Sequence, residues 1–289
     1  MIWGLKRIVK YALGTDIAGR NLAVYSDDTF IVSYPRSGNT WTRFLVANLV
    51  YPKQLVTFAN IERLIPDCEA MSSRYVKRVQ RPRIIKSHEY FDPRYKKVIY
   101  IVRDPRDVAL SYYDFSRKYR HIEDNYPLTQ FVSDFVAGRL SSFDWGTWGE
   151  NVSSWFYTRN GRPEFLLLRY EDMLGNTQGE LTKVARFLDI DSTPDRLAAA
   201  VERSSADRMR KLEASQGEQW VTTKNKRSDI PFVRTASSGL WKEMLPANAI
   251  AEIESAWGPL MRELGYQLTT NPDDSRARME SPELVKEHR

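Results

Sequence analysis

The chain is poor in the residues that build metal and redox centres: of its 289 residues, one is cysteine and three are histidine. Cys68 alone excludes an internal disulfide and any cysteine-based metal cluster. His88, His121 and His288 fall in no H-x-x-H or H-E-x-x-H spacing, which excludes the usual zinc patterns. The sequence therefore predicts a reducing compartment, the cytoplasm, and no metal. It also lacks a long lysine/arginine block, and its formal net charge of +6 is modest for this length. Nucleic acid is not an expected partner; a small phosphorylated anion accounts for the excess more simply. The first thirteen residues lack an unbroken apolar run, so neither a signal-peptide core nor a membrane span is expected there. They instead place Ile2, Leu5, Ile8, Val9, Ala12 and Leu13 at helical spacing against Lys6, Arg7 and Lys10. Such a basic amphipathic helix reads first as docking on the protein's own body or a neighbouring subunit, and second as peripheral contact with an anionic membrane. Aromatics, by contrast, are plentiful. Eight Trp and fifteen Tyr exceed the needs of a core of this size, so some rings are expected to line a site.

The most informative segment runs from Ile31 to Trp41. An apolar strand enters a short turn, Arg36-Ser37-Gly38, and a helix opens with Asn39-Thr40. Backbone N–H groups of the turn and helix start, with the helix dipole, form a concavity suited to phosphate. Arg36 adds a full charge and Thr40 a hydroxyl. No Lys follows Gly38 and no Gly stands five residues before it, so this is not the nucleotide-triphosphate P-loop.

Apolar runs at 30–34, 84–86, 98–102 and 165–168 read as strands, and the patterns at 40–50, 105–118, 128–138 and 152–159 read as helices. Their alternation predicts one α/β domain: a central, mainly parallel sheet flanked by helices, with a P-loop-like strand-loop-helix and the ligand at the carboxyl ends of the strands. Further helices are expected at 177–188, 194–214 and 247–264. No repeat or linker divides the chain. The expected organisation is an N-terminal amphipathic helix over 1–20, a catalytic domain over 21–269 and a polar, disordered tail over 270–289. The polar, aperiodic stretch 216–238 reads as a mobile lid.

Two further motifs carry chemistry. Arg103 ends a strand, and Asp104-Pro105-Arg106-Asp107 then opens a helix with an acidic cap and Pro at its first position. Arg103 either pairs with Asp104 or Asp107 or, with Ser111 one turn along the helix, reaches a second anion. Lys86-Ser87-His88 places an amine and an imidazole on one side of an extended chain, a pairing suited to general-base and electrostatic work. His88 read alone would be structural; its place beside Lys86 at a strand end favours catalysis. Arg234 to Lys242 adds a cation, hydroxyls and the flexible Gly239.

Together these segments resemble the cytosolic-type sulfotransferase family, which uses 3′-phosphoadenosine 5′-phosphosulfate (PAPS). Tyr34 to Trp41 is similar to its 5′-phosphosulfate loop, Lys86-Ser87-His88 to its K-[ST]-H, and Arg103 to Tyr113 to its 3′-phosphate motif. Leu168 to Met173 and Arg234 to Lys242 are similar to two further segments. The resemblance implies sulfuryl transfer to a hydroxyl or amine of a small-molecule or glycan acceptor, releasing adenosine 3′,5′-bisphosphate (PAP) without a metal. It implies Lys86, His88 and Arg36 as the catalytic set, with Arg36 where a Lys is usual. Ser37, Gly38, Asn39 and Thr40 would form the cradle; Trp41 would stack on adenine near Tyr170 and Ser204. Arg103, Ser111 and Arg234 would hold the 3′-phosphate. Thr235 and Ala236 replace the usual K-G after Arg234, so either the 3′-phosphate grip is looser or another cation such as Lys224, Lys226 or Arg227 replaces the missing one. Ala206 lacks an expected aromatic, and no dimerisation signature is recognisable, so no oligomeric state follows. Segments 54–83, 119–148 and 216–233 are expected to shape the acceptor pocket through Phe58, Tyr75, Phe143, Trp145, Trp148 and Trp220. Two other readings stand beside this one: a P-loop small-molecule kinase, against which the missing G-K-[ST] counts, and an inactive nucleotide-binding protein, against which Lys86 and His88 count.

Overall fold

The computed structural model describes residues 13–269, apart from Phe143, Thr235 and the side chain of Arg20. Residues 1–12 of the expected N-terminal helix and the tail from 270 lie outside the described residues; residues 14–20 are not α-helical, because Ile17 pairs with Ser72 in an antiparallel bridge and a 3₁₀ turn follows at Gly19–Asn21.

The four apolar runs form one parallel sheet: β1 (Thr29–Ser33), β2 (Ile84–Ser87), β3 (Lys97–Val102) and β4 (Phe165–Arg169), in the order β2-β1-β3-β4. Ile31 lies opposite Lys86 on one side and Ile99 on the other, and Ile101 lies opposite Leu168. Alternate residues point to opposite faces, and each face has its own core. Phe30, Val32, Val98, Tyr100 and Val102 belong to one, and Ile31, Ile99, Ile101 and Leu168 to the other. Burial on both faces explains why these strands are continuously apolar rather than alternating.

The longer helices are, in chain order, α1 (Asn39–Val50), α2 (Pro105–Lys118), α3 (Leu128–Val136), α4 (Trp148–Arg159), α5 (Thr177–Leu188), α6 (Pro194–Arg203), α7 (Ala206–Gln216) and α8 (Ala247–Glu263). α2, α3, α4 and α8 cover the first face and α1, α5, α6 and α7 the second. Asp104 caps α2 by accepting the Arg106 N–H, with Pro105 following, as the sequence predicts. The helix expected over 194–214 is two helices. Ser204 closes α6 and Ser205 turns extended to start α7. The break is fixed by partners from α1: the Ser204 carbonyl accepts the Trp41 indole N–H (3.1 Å), and its hydroxyl accepts from Asn48 Nδ2 (3.0 Å).

The aperiodic stretch after α7 is held from outside by side chains. Lys118 Nζ donates to the carbonyls of Arg227 (2.7 Å) and Ile230 (2.6 Å). Glu213 accepts the N–H groups of Phe232 (2.6 Å) and Val233 (2.8 Å). No helix among the described residues is long and apolar enough to cross a membrane.

Candidate active site

The carboxyl ends of the strands open into one cavity of about 570 Å³. After β1 the chain turns sharply, with Arg36 at φ 69° and Gly38 at φ 98°. A Cβ on Gly38 would lie 2.5 Å from Cδ2 of Tyr170, so glycine alone combines this conformation with this close approach. Gly38 is also the N-cap of α1 and brings no capping side chain. The first turn of α1, on the cavity wall, therefore keeps its N–H groups for an anion.

Arg36 crosses the cavity. Its Nε donates to Ser111 Oγ (3.1 Å) and its Nη2 to the Phe232 carbonyl (3.4 Å). Its guanidinium lies 5.0 Å from the Phe115 ring centre and 4.6 Å from that of Phe232, a cation–π contact with each ring. Burial, with Arg103 and Arg234 nearby, lowers its pKa to about 10. A guanidinium crowded by two others is a site prepared for an anion.

From β2 come Lys86 and His88. His88 Nδ1 lies 2.7 Å from the Ser33 carbonyl. A carbonyl only accepts, so Nδ1 carries the proton and Nε2 the lone pair. Burial first, and then the Lys86 ammonium, hold its pKa down to about 3, so the ring is neutral. Lys86 lies 3.0 Å from Asp67 and 2.6 Å from Glu69. Burial opposes its charge, but the two carboxylates outweigh burial and raise its pKa.

β3 and β4 supply Arg103 and Tyr170. Asp104 is taken by Arg106, and Asp107 accepts the N–H groups of Gly239 (2.6 Å) and Trp241 (3.1 Å). Arg103 forms no ion pair among the described residues. It stacks over Tyr170 at 4.4 Å, donates to the carbonyls of Arg36 (3.2 Å) and Ser237 (3.1 Å), and leaves its buried Nε without a partner. Arg234 reaches the wall from the closing segment, residues 217–241 after α7, and pairs with Asp114 at 2.9 Å.

The cavity wall thus holds Arg36, Gly38, Asn39, Thr40, Trp41, Lys86, His88, Arg103, Ser111, Tyr170, Ser204 and Arg234. Ser37 is not on it: its N–H donates to the Tyr34 carbonyl (3.3 Å), and its hydroxyl is buried without a partner. Asn39 spends its amide on the Ile31 carbonyl (3.3 Å) and Ser33 Oγ (3.2 Å), fastening α1 to β1. Lys224, Lys226 and Arg227 do not line the cavity, and Arg227 pairs with Asp124 and Asp229. Of the aromatics expected around the acceptor, Trp145 and Trp220 line the wall, Phe58 and Trp148 are core residues, Tyr75 lies elsewhere and Phe143 is not described. Sequence reasoning missed Asp67 and Glu69. They lie on a turn, where the Ala70 and Met71 N–H groups donate to the Asp67 carbonyl, so no strand or helix period marks them as facing one way. It also missed Phe115 and Phe232, for which no local signal exists.

The family model for the sulfotransferase domain matches residues 26–265. The chain belongs to the sulfotransferase family. Membership sets aside the P-loop kinase alternative. This sulfotransferase is 26% identical to Sulfotransferase 1A1 of Mus musculus over 270 residues, 88% of this chain and 91% of the relative. It is 28% identical to Sulfotransferase 1B1 of Mus musculus, over 80% of this chain and 81% of the relative. In fold it is similar to mouse sulfotransferase SULT7A1 complexed with PAP, at TM-score 0.69 and 23% identity over 91% of each chain. It is similar to the same degree (0.69, 19% identity, 91% and 88% covered) to retinol dehydratase in complex with androsterone and inactive cofactor PAP.

Proposed function

We propose that this sulfotransferase moves the sulfuryl group of PAPS to a hydroxyl or amine of a small-molecule or glycan acceptor, with His88 as general base. The observation that carries this reading is the neutral His88 ring, whose Nδ1–H is tied to Ser33 and whose Nε2 is left as acceptor, on the same cavity wall as Arg36 and the uncapped start of α1.

The residues present fit a nucleotide bearing anions at both ends. The first turn of α1 keeps its N–H groups uncapped at one side of the cavity, and Arg103 keeps a buried Nε without a partner. Arg36 and the first turn of α1 would hold the 5′ end, with Arg103, Ser111 and Arg234 at the 3′ end. Trp41, Tyr170 and the Ser204 wall would hold the base. PAPS supplies an activated sulfuryl group and leaves as PAP. His88 Nε2 takes the proton of the attacking hydroxyl, which makes oxygen a better nucleophile as its bond to sulfur forms. Lys86, Arg36 and the α1 N–H groups meet the charge that grows on the departing oxygen. The reading also places the enzyme in the cytoplasm, where Cys68 stays reduced.

His88→Ala should bind PAP nearly as well as the parent and lose about a hundredfold or more in turnover. An acceptor panel with labelled PAPS, together with PAP calorimetry, checks this. Turnover unchanged with a good acceptor removes His88 from the base role, and no transfer by the parent to any acceptor leaves the inactive-binder alternative standing.

A further inference from the structure

Lys86, the transfer-site ammonium, is gripped rather than free. Glu69 Oε2 holds its Nζ at 2.6 Å, and Asp67 Oδ2 lies 3.0 Å away. The other Glu69 oxygen accepts the main-chain N–H of His88 and lies 3.3 Å from Ser87 Oγ. One carboxylate therefore touches every residue of Lys86-Ser87-His88. The chain brings it there by adding a short parallel bridge to the edge of β2: the Lys86 N–H donates to the Pro66 carbonyl (2.9 Å) and the Cys68 N–H to the Lys86 carbonyl (3.1 Å). The Glu69 N–H in turn donates to Asp67 Oδ1 (2.9 Å), which fixes the two acids relative to each other.

We propose that Glu69 is a positioning residue of sulfuryl transfer: it aims the Lys86 ammonium and sets the main chain of His88 so that the ring meets the acceptor. A lysine on a four-carbon stem has many rotamers, and a buried one without a counter-charge loses its proton. Glu69 removes both freedoms through one side chain. This inference rests on Lys86 and His88 performing the transfer.

The test is a set of variants assayed with labelled PAPS and one working acceptor. Glu69→Ala should lower kcat at least tenfold while PAP affinity stays within twofold, and Glu69→Gln, whose single carbonyl oxygen can accept from the His88 N–H but puts an NH2 toward Lys86, should recover only part of that loss. In a Lys86→Met background the Glu69→Ala change should cost clearly less than in the parent, because one of the two groups it positions is gone and only the His88 contact is left. Equal losses in both backgrounds, no loss in the parent, or a matching loss of PAP affinity each overturn the role. If Glu69→Ala does not fold, Glu69→Gln in the two backgrounds gives the same comparison. His88→Ala run alongside separates the two ideas: if it turns over normally the mechanism itself fails, whereas an inactive His88→Ala beside a normal Glu69→Ala removes only the positioning role.

Discussion

A titratable group in this site is defined by its neighbours more than by its type. The His88 imidazole has a carbonyl on Nδ1 and an ammonium close by, and burial is the larger of the two forces that move its pKa from 6.5 to about 3. Folded, it binds fewer protons than the unfolded chain between those two values. Its effect on stability is therefore absent above pH 6.5 and costs about 1.4 kcal/mol per pH unit as pH falls towards 3. An NMR titration of the PAP-free protein should show the His88 ring neutral down to about pH 4, and a midpoint near 6.5 would show that Lys86 and burial do not act on it as described. Arg36 illustrates the same point. Its identity was plain in the sequence, but the Phe115 and Phe232 rings in contact with it come from α2 and the closing segment.

Turns and helix ends do the positioning at the next scale. The βα turn at 34–38 works because a left-handed glycine meets Tyr170 from the end of β4, so two strand ends share one contact. The break between α6 and α7 gives Trp41 a fixed carbonyl partner. The closing segment, expected to be mobile, is bound to three cations of the cavity: Arg36 through Phe232, Arg103 through Ser237, and Arg234 within it. Like charges gathered this closely repel one another, and a bound bisphosphate would relieve that repulsion. Amide exchange at 232–241 should therefore slow at least tenfold when PAP is added. Full protection before PAP, or no change after it, would mean that the segment is a fixed wall.

Across the whole molecule, a buried ion network ties elements of the first core together beside the site. Arg106, 2% exposed, pairs with Asp104 at 2.7 Å and with Glu254 of α8 at 2.5 Å, and lies 3.6 Å from the Trp241 ring centre. Glu254 also accepts the Thr269 N–H at 3.0 Å. The start of α2, the end of the closing segment and the chain after α8 thus meet at one guanidinium. Arg106→Met should destabilise the protein by about 3–5 kcal/mol, because it removes the guanidinium shared by the buried Asp104 and Glu254 carboxylates. Urea unfolding measures this, and pairing the change with Glu254→Leu should restore part of the loss. A change below about 1 kcal/mol would mean that the network does not hold these parts together.

What the sequence determined by itself was local. Strands, the Arg36–Gly38 turn, the Asp104-Pro105 helix start and the K-S-H pair were legible because each depends on residues one to four places away, where periodicity and cap chemistry act. Together with the resemblance they carry, they pointed to the family. The 194–214 stretch was misread because its break depends on Trp41 and Asn48, far off in the chain. Only the tertiary structure decided the partners: Glu69 on Lys86 across 17 residues, Arg234 on Asp114, Phe232 on Arg36 across 196. Such contacts are set by the path of the chain around the sheet, and no local pattern encodes that path.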